Sequence, residues 1–431
     1  MSTVSHFRAR FGHATRVLAI ALPGLALFPA YAGEQPLGAS LDELISYAHE
    51  YNPMLRATRL DAAAARERIE PAGALPDPRF EVELMDFTNT MDRSRSPSLL
   101  PGEVGATRYR IKQMLPYPGK RALRSEIAEA RAERSGTAVA AARLAIEAEI
   151  KKAFANHYRA SGRERILRET LALVEGLEHL VLTRYGLGLV PQQDAVQVQS
   201  ELTTLKVELV AAARSRADAA AKLNAQLPRP PDAPLAMPDA LPVLPSIPAL
   251  AALIEDARSH SPELERDRFE VLATERSRSL TYRERYPDFG IALSNNRPRG
   301  GRDSWDLMIE LNIPLQQASR RAREREAEYA VEAAQARREA TAAMLAGRIG
   351  EAHAGVEALR DQIRLLRDTL LLQAEANLEA ARAGYETGAV NFNTLIEAER
   401  RILRTRFALL DAEVDARVSL TELEQLVGVS L

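Results

Sequence analysis

The chain has 431 residues, of which 27% are charged and 46% apolar, a balance found in folded proteins rather than disordered ones. A formal net charge of −2 argues against a general nucleic-acid binder, and the absence of cysteine excludes disulfides, thiolate metal sites and a lipidated cysteine. Aromatic residues reach only 5%, while Ala, Arg, Glu and Leu fill whole segments, a bias towards long helices with coiled-coil packing.

The N-terminus has the three parts of a secretory signal. Arg8, Arg10 and Arg16 precede an apolar run from Val17 to Phe28, and Ala30-Tyr31-Ala32 supplies the small residues of a cleavage site. This predicts a signal peptide over 1–32 and a mature chain from Gly33. The run is too short for a transmembrane anchor of about 20 residues. No later stretch is apolar for long enough either, so any membrane crossing must use β-structure.

A short helix is predicted up to about residue 52, and Pro53 opens a second that runs towards Pro71. The periodicity then changes from helical to alternating. Phe80, Val82 and Leu84 interleave with Arg79, Glu81 and Glu83, and Tyr109 and Ile111 interleave with Arg108, Arg110 and Lys112. Pro116 stops the second strand. A proline-free helix follows from 119 to about 184, roughly 100 Å at 1.5 Å per residue. Tyr185-Gly-Leu-Gly188 ends it, and a shorter helix returns over 191–226 with Leu202, Leu205 and Leu209 on one stripe. Eight prolines between Pro228 and Pro248 then make an extended linker.

The same landmarks recur in the same order after the linker. Leu41–Ala48 followed by Pro53-Met-Leu55 is answered by Leu250–Ala257 followed by Pro262-Glu-Leu264. Pro76-Asp77 recurs as Pro287-Asp288, and Ile111–Pro116 recurs as Ile309–Pro314. Ile291 and Leu293 mark a third strand. Trp305, Leu307, Ile309, Leu311 and Ile313 give the fourth a wholly apolar face. A second long helix covers 315 to about 384 and ends at Tyr385-Glu-Thr-Gly388. The returning helix, 391–427, repeats Leu395, Ile402 and Leu409 every seven residues. The predicted organisation is thus a signal peptide over 1–32, repeats over 33–227 and 249–431, and a linker over 228–248. The fold class is mainly α with a small β part.

Four strands cannot close a barrel, since about eight is the smallest number that encloses a filled interior. Open strand edges cannot face lipid. If these strands enter a membrane, the chain needs partners, giving eight strands in a dimer or twelve in a trimer. A small soluble sheet capping a helical rod is the alternative that alternation leaves open.

The order of short helix, helix, two strands, long helix, Tyr-x-x-Gly tip and returning helix, given twice, resembles the TolC-like outer-membrane efflux family over 33–431. Gln113-Met-Leu-Pro-Tyr-Pro-Gly-Lys-Arg121 is similar to a form found in its heavy-metal efflux branch. The resemblance implies a homotrimer in the outer membrane, with a long α-helical coiled-coil barrel extending through the periplasm and four strands per chain in a twelve-stranded β-barrel. It also implies a periplasmic adaptor, an inner-membrane efflux pump and outer-membrane lipid as partners. A periplasmic adaptor or a structural rod is the competing reading. The duplication argues against an adaptor with one hairpin, and the two-faced strands argue against a rod.

Candidate site residues follow. Trp305, Leu307, Ile309, Leu311 and Ile313 are expected to face lipid. Tyr185, Gly188, Tyr385 and Gly388 are expected to dock the adaptor, the alternative being purely structural turns. Asp194, Tyr385 and Glu397 resemble family positions that gate and line the periplasmic mouth. Near helix starts, Asp194 and Glu397 also suit the helix dipole. The family's best-studied pattern has an arginine where Val390 stands and an acid where Thr394 stands. No cofactor, catalytic constellation or metal cluster is expected, because His49, His157, His179, His260 and His353 are scattered. Arg320-Arg321-Ala-Arg323-Glu-Arg325-Glu326 reads as a solvated helix face or as a polar rim near anionic lipid head groups.

Overall fold

The computed structural model describes residues 37–38, 40–91, 94–236 and 240–431. The expected signal peptide lies outside them. Helix α1, Leu41–Tyr51, starts where the Ser40 hydroxyl accepts from the Glu43 N–H at 3.3 Å. Asn52 then joins two helices. Its carboxamide oxygen accepts from the N–H groups of Met54 (2.9 Å) and Leu55 (3.2 Å), with Pro53 as the first residue of α2, Pro53–Arg66. The helix expected to end near Pro71 breaks earlier, and Pro71 falls inside a single further turn, α3, Ile69–Gly73. The pattern returns in α6, Leu250–His260, and α7, Pro262–Arg283.

Strands β1 (Arg79–Met85), β2 (Ala106–Leu115), β3 (Asp288–Pro298) and β4 (Ser304–Asn312) form one antiparallel sheet in that order. The register aligns Phe80, Ile111, Leu293 and Leu307 in one row, and Glu81, Arg110, Ser294 and Asp306 in the adjacent row on the opposite face. Ile313 falls one residue past β4, because Pro314 has no N–H with which to extend the ladder.

Helix α4, Lys120–Gly186, has 67 residues, and α5, Gln192–Gln226, returns along it. The second long rod is α8, Gln317–Leu365, then a π-helical stretch, Leu366–Leu371, then α9, Leu372–Thr387. The uninterrupted helix expected there is therefore one rod with a π insertion. Helix α10, Phe392–Val427, returns along it. α4 packs against α5 and α10 and, nearer its start, against α2, α3 and α7. α8 packs against α7 and α10, so these two lie between the long rods. Lys151–Glu424 and Arg163–Asp411 ion pairs, each 2.6 Å, tie α4 to α10.

The duplication is visible in the packing. Leu44 and Ala48 of α1 meet Ile150 and Phe154 of α4 beside Leu223 near the end of α5. Leu253 and Ala257 of α6 meet Leu345 and Ile349 of α8 beside Leu423 near the end of α10. Each short helix thus plugs the point where a returning helix stops. A third core at the far ends of the rods combines Val174, Leu177 and Val181 with Leu202, Leu378, Leu395 and Ile402.

Candidate functional site

The sheet separates chemistry by face. Phe80, Ile111, Leu293, Trp305, Leu307 and Ile309 are exposed on one side, with Ile309 at 73%. The other side is a ladder of paired charges. Arg108 meets Glu83 at 2.9 Å, Arg110 meets Glu81 at 3.1 Å, and Lys112 meets Glu310. Period-2 alternation aims each set at its own face. β1 and β4 leave unpaired edges, so the sheet is open. Among the described residues, no helix is long and apolar enough to cross a membrane.

The far ends of the rods carry two turns of one backbone design. The Gly188 N–H donates to the Tyr185 carbonyl (2.9 Å) and the Leu189 N–H to the Arg184 carbonyl (2.9 Å). In the second turn, Gly388 donates to Tyr385 (3.1 Å) and Ala389 to Gly384 (2.7 Å). Both glycines are left-handed, with φ of +71° and +80°. This hydrogen-bond pair consumes carbonyls that a helix end otherwise leaves unsatisfied.

Side chains link the two turns. Tyr385 is 2% exposed, stacks edge-on against Phe392 at 5.5 Å, and donates from its hydroxyl to Asp194 at 3.4 Å. Arg184 donates to the carbonyls of Tyr385 (2.5 Å) and Glu386 (3.0 Å), and its guanidinium lies 5.1 Å over the Tyr385 ring. Burial and the Asp194 charge push the Tyr385 phenol up to about 12. Burial likewise raises the Asp194 carboxyl, opposed by the Tyr385 hydrogen bond and Arg184. Asp194 and Tyr385 are thus brought together. Glu397 is not in that contact. It is exposed and pairs with Arg400 (3.2 Å) and Arg404 (3.9 Å) on its own helix. Where the sequence lacks an arginine at Val390, Arg184 brings one from the other hairpin. Val390 instead faces Gly384, where an added Cβ would come within 3.1 Å of it.

Two features went unread in the sequence. Glu201 of α5 takes a two-pronged contact from Arg400 of α10, at 2.6 and 3.3 Å. Beside it Glu399 is 1% exposed, and neither carboxylate oxygen has a hydrogen-bond partner among the described residues. Burial, then the nearby Glu201 charge, raises its pKa to about 7. Among the described residues no group of acids and histidines is arranged to hold a metal ion.

The profile of the outer membrane efflux protein family matches residues 44–227 and 253–429. The chain belongs to that family. As an outer-membrane efflux protein it is a channel component of the outer membrane, with helices that extend into the periplasm. It is 27% identical to outer membrane protein OprJ of Pseudomonas aeruginosa, covering 90% of this chain and 84% of OprJ. It is 22% identical to the cobalt-zinc-cadmium resistance protein CzcC of Cupriavidus metallidurans, over 94% of each. A crystal structure of a membrane protein from Pseudomonas aeruginosa shares the fold with a TM-score of 0.77 at 23% identity, covering 92% of this chain and 91% of that one. In this fold the sheet is one part of a trimeric β-barrel, continued by a helical barrel.

Proposed function

We propose that this efflux protein is a homotrimer whose four-stranded sheets close into one twelve-stranded barrel, conducting solutes passively from an inner-membrane pump and periplasmic adaptor to the outside. The open sheet with one apolar and one ion-paired face carries this reading. Its edges need partners, its apolar face needs lipid, and its charged face suits a water-filled lumen. Trp305, Leu307, Ile309 and Leu311 would meet lipid, with Ile313 at the lower margin. The repeats over 33–227 and 249–431 would each supply one hairpin of strands and one of helices, joined by 228–248 and exported by a signal peptide over 1–32.

Tyr185, Gly188, Tyr385 and Gly388 lie at the tips, where an adaptor would dock. Asp194 and Tyr385 would hold the mouth closed. Glu397, exposed three residues from Arg400, would line the tunnel and favour cations in three copies. Heavy-metal cations are the substrate class favoured by the Gln113–Arg121 segment and by the likeness to CzcC.

Cell fractionation with crosslinking tests the assembly. The expected result is a crosslinked trimer in the outer-membrane fraction, and a monomer in the soluble periplasm would overturn it. Within that assay, Ile309→Arg is expected to cost about 2–4 kcal/mol near the bilayer midplane and deplete the trimer, while Glu310→Ala is mild. Loss of the gene is expected to sensitise cells to cobalt, zinc or cadmium, and unchanged metal tolerance would contradict the substrate class.

A further inference from the structure

A cavity of about 390 Å³ lies where the fourth strand gives way to α8. Ile313 and Leu315 line it together with Arg320 and Arg323 of α8 and Glu284 at the end of α7. Both walls come from one chain, so the cavity does not depend on a neighbouring subunit to form.

Ile313 is 58% and Leu315 79% exposed, a large apolar surface to leave in water. They continue the exposed apolar face of β4 downwards. The same cavity carries two arginines that are in no ion pair among the described residues. Arg320 donates one N–H to the Pro314 carbonyl, and its other donors have no hydrogen-bond partner among the described residues. Arg323 is exposed and has no acidic partner among the described residues. The acid next to it, Glu324, is already held by Arg285 at 2.6 and 2.8 Å. Glu284 is also exposed and in no ion pair among the described residues.

The first half handles the matching junction differently. There Lys120 is 3% exposed and bonded to Asp288 and the Tyr286 carbonyl, both at 2.8 Å. Arg121 donates to the Gly73 carbonyl at 2.7 Å. Lys120 and Arg121 are thus bonded within the chain, whereas Arg323 at the second junction has no ion pair among the described residues.

We propose that this cavity binds the headgroup of an aminophospholipid at the periplasmic surface of the membrane. The phosphate sits between the guanidinium groups of Arg320 and Arg323, whose planar forks match its oxygens. The ammonium group reaches Glu284, and the start of an acyl chain lies on Ile313 and Leu315. Adjacency to the apolar face of β4 selects a lipid over free phosphate, and an acid lining the same cavity as two arginines selects a headgroup carrying both charges. The proposal rests on the reading that the apolar face of β4 meets lipid.

Native mass spectrometry of the delipidated, detergent-solubilised trimer tests it, with phosphatidylethanolamine, phosphatidylglycerol or inorganic phosphate added back. Phosphatidylethanolamine is expected to bind at one copy per chain, and about tenfold more weakly to Arg323→Gln and to the Arg320→Gln/Arg323→Gln pair. Glu284→Gln is expected to remove the preference over phosphatidylglycerol while leaving phosphate recognition. Equal lipid binding by wild type and Arg323→Gln would overturn the site, as would displacement by millimolar inorganic phosphate. The same variants are fractionated in parallel. Trimers that reach the outer membrane but bind lipid like wild type would defeat this site alone, whereas a wild-type protein absent from the membrane would defeat the reading beneath it.

Discussion

The two turns at the far ends of the rods share a backbone and differ in what their side chains do. In the α4–α5 turn Tyr185 is 44% exposed, and Leu187 and Leu189 are 69% and 63% exposed. In the α9–α10 turn Tyr385 is 2% exposed, and Thr387 and Ala389 replace the leucines. Duplication preserved the hydrogen bonds that end a helix, and divergence then split the labour. One turn keeps apolar surface outward, and the other turns its tyrosine inward to meet Asp194. The difference shows that a repeated motif fixes main-chain geometry while the role of each copy is decided by the neighbours its side chains find.

The sharpest way to break this comparison is to truncate both tyrosines. Tyr385→Ala empties a packed position and is expected to cost about 3–5 kcal/mol, whereas Tyr185→Ala stays within about 0.5 kcal/mol. Thermal unfolding followed by helical circular dichroism measures both, and equal losses would erase the distinction. Next comes the buried acid. Gly188 and Gly388 are 200 residues apart, and the position of α5 matching Glu399 at that offset is the exposed Gln199. Because burial raises the Glu399 pKa, its protonated form favours the folded tip. That stability is present at pH values below the ordinary glutamate range and is lost as pH rises through about 7. Glu399→Gln is expected to flatten the pH dependence of unfolding and to stabilise the protein above pH 7 by up to about 3 kcal/mol, while Gln199→Glu changes little. An unchanged pH profile in Glu399→Gln would place the titration elsewhere.

A smaller effect is expected where the turns agree. Gly188→Ala and Gly388→Ala each force a side chain into a left-handed position, at about 1–2 kcal/mol apiece. Among the described residues nothing lies within 4 Å of a Cβ added at Gly188, so the strain there is conformational rather than steric. Similar losses at both sites support a shared backbone role. A stable trimer in which only Gly188→Ala loses adaptor crosslinking would assign docking to the first turn.

Much of this was legible in sequence because it is periodic. Alternation at Trp305, Leu307, Ile309 and Leu311 places β4 and its face, and Pro314 marks its end. The glycines at 188 and 388 mark the turns. What was hidden depends on distant neighbours. Arg184 contacts Tyr385 across 201 positions, and no local pattern records that. Glu399 stood inside the apolar stripe of α10, four residues after Leu395 and three before Ile402. Its spacing signalled burial, but the lack of a partner is visible only once α5 is packed beside it. The π insertion at Leu366–Leu371 contains neither proline nor glycine, so nothing in its composition announces it.

The central claim is that contact between the two hairpins, through Asp194 and Tyr385, closes the mouth of an outer-membrane channel. Single-channel recording of the trimer in planar bilayers tests it directly. Wild type is expected to show a small, cation-selective and mostly closed conductance. Removing a hydrogen bond to a charged carboxylate costs about 1.5–3 kcal/mol, so Tyr385→Phe is expected to raise open probability by about tenfold or more. Asp194→Ala combined with Glu397→Ala is expected to lower cation selectivity as well. Wild-type conductance, gating and selectivity in both variants would place the gate elsewhere, and the absence of any conductance in the wild-type trimer would contradict the channel itself.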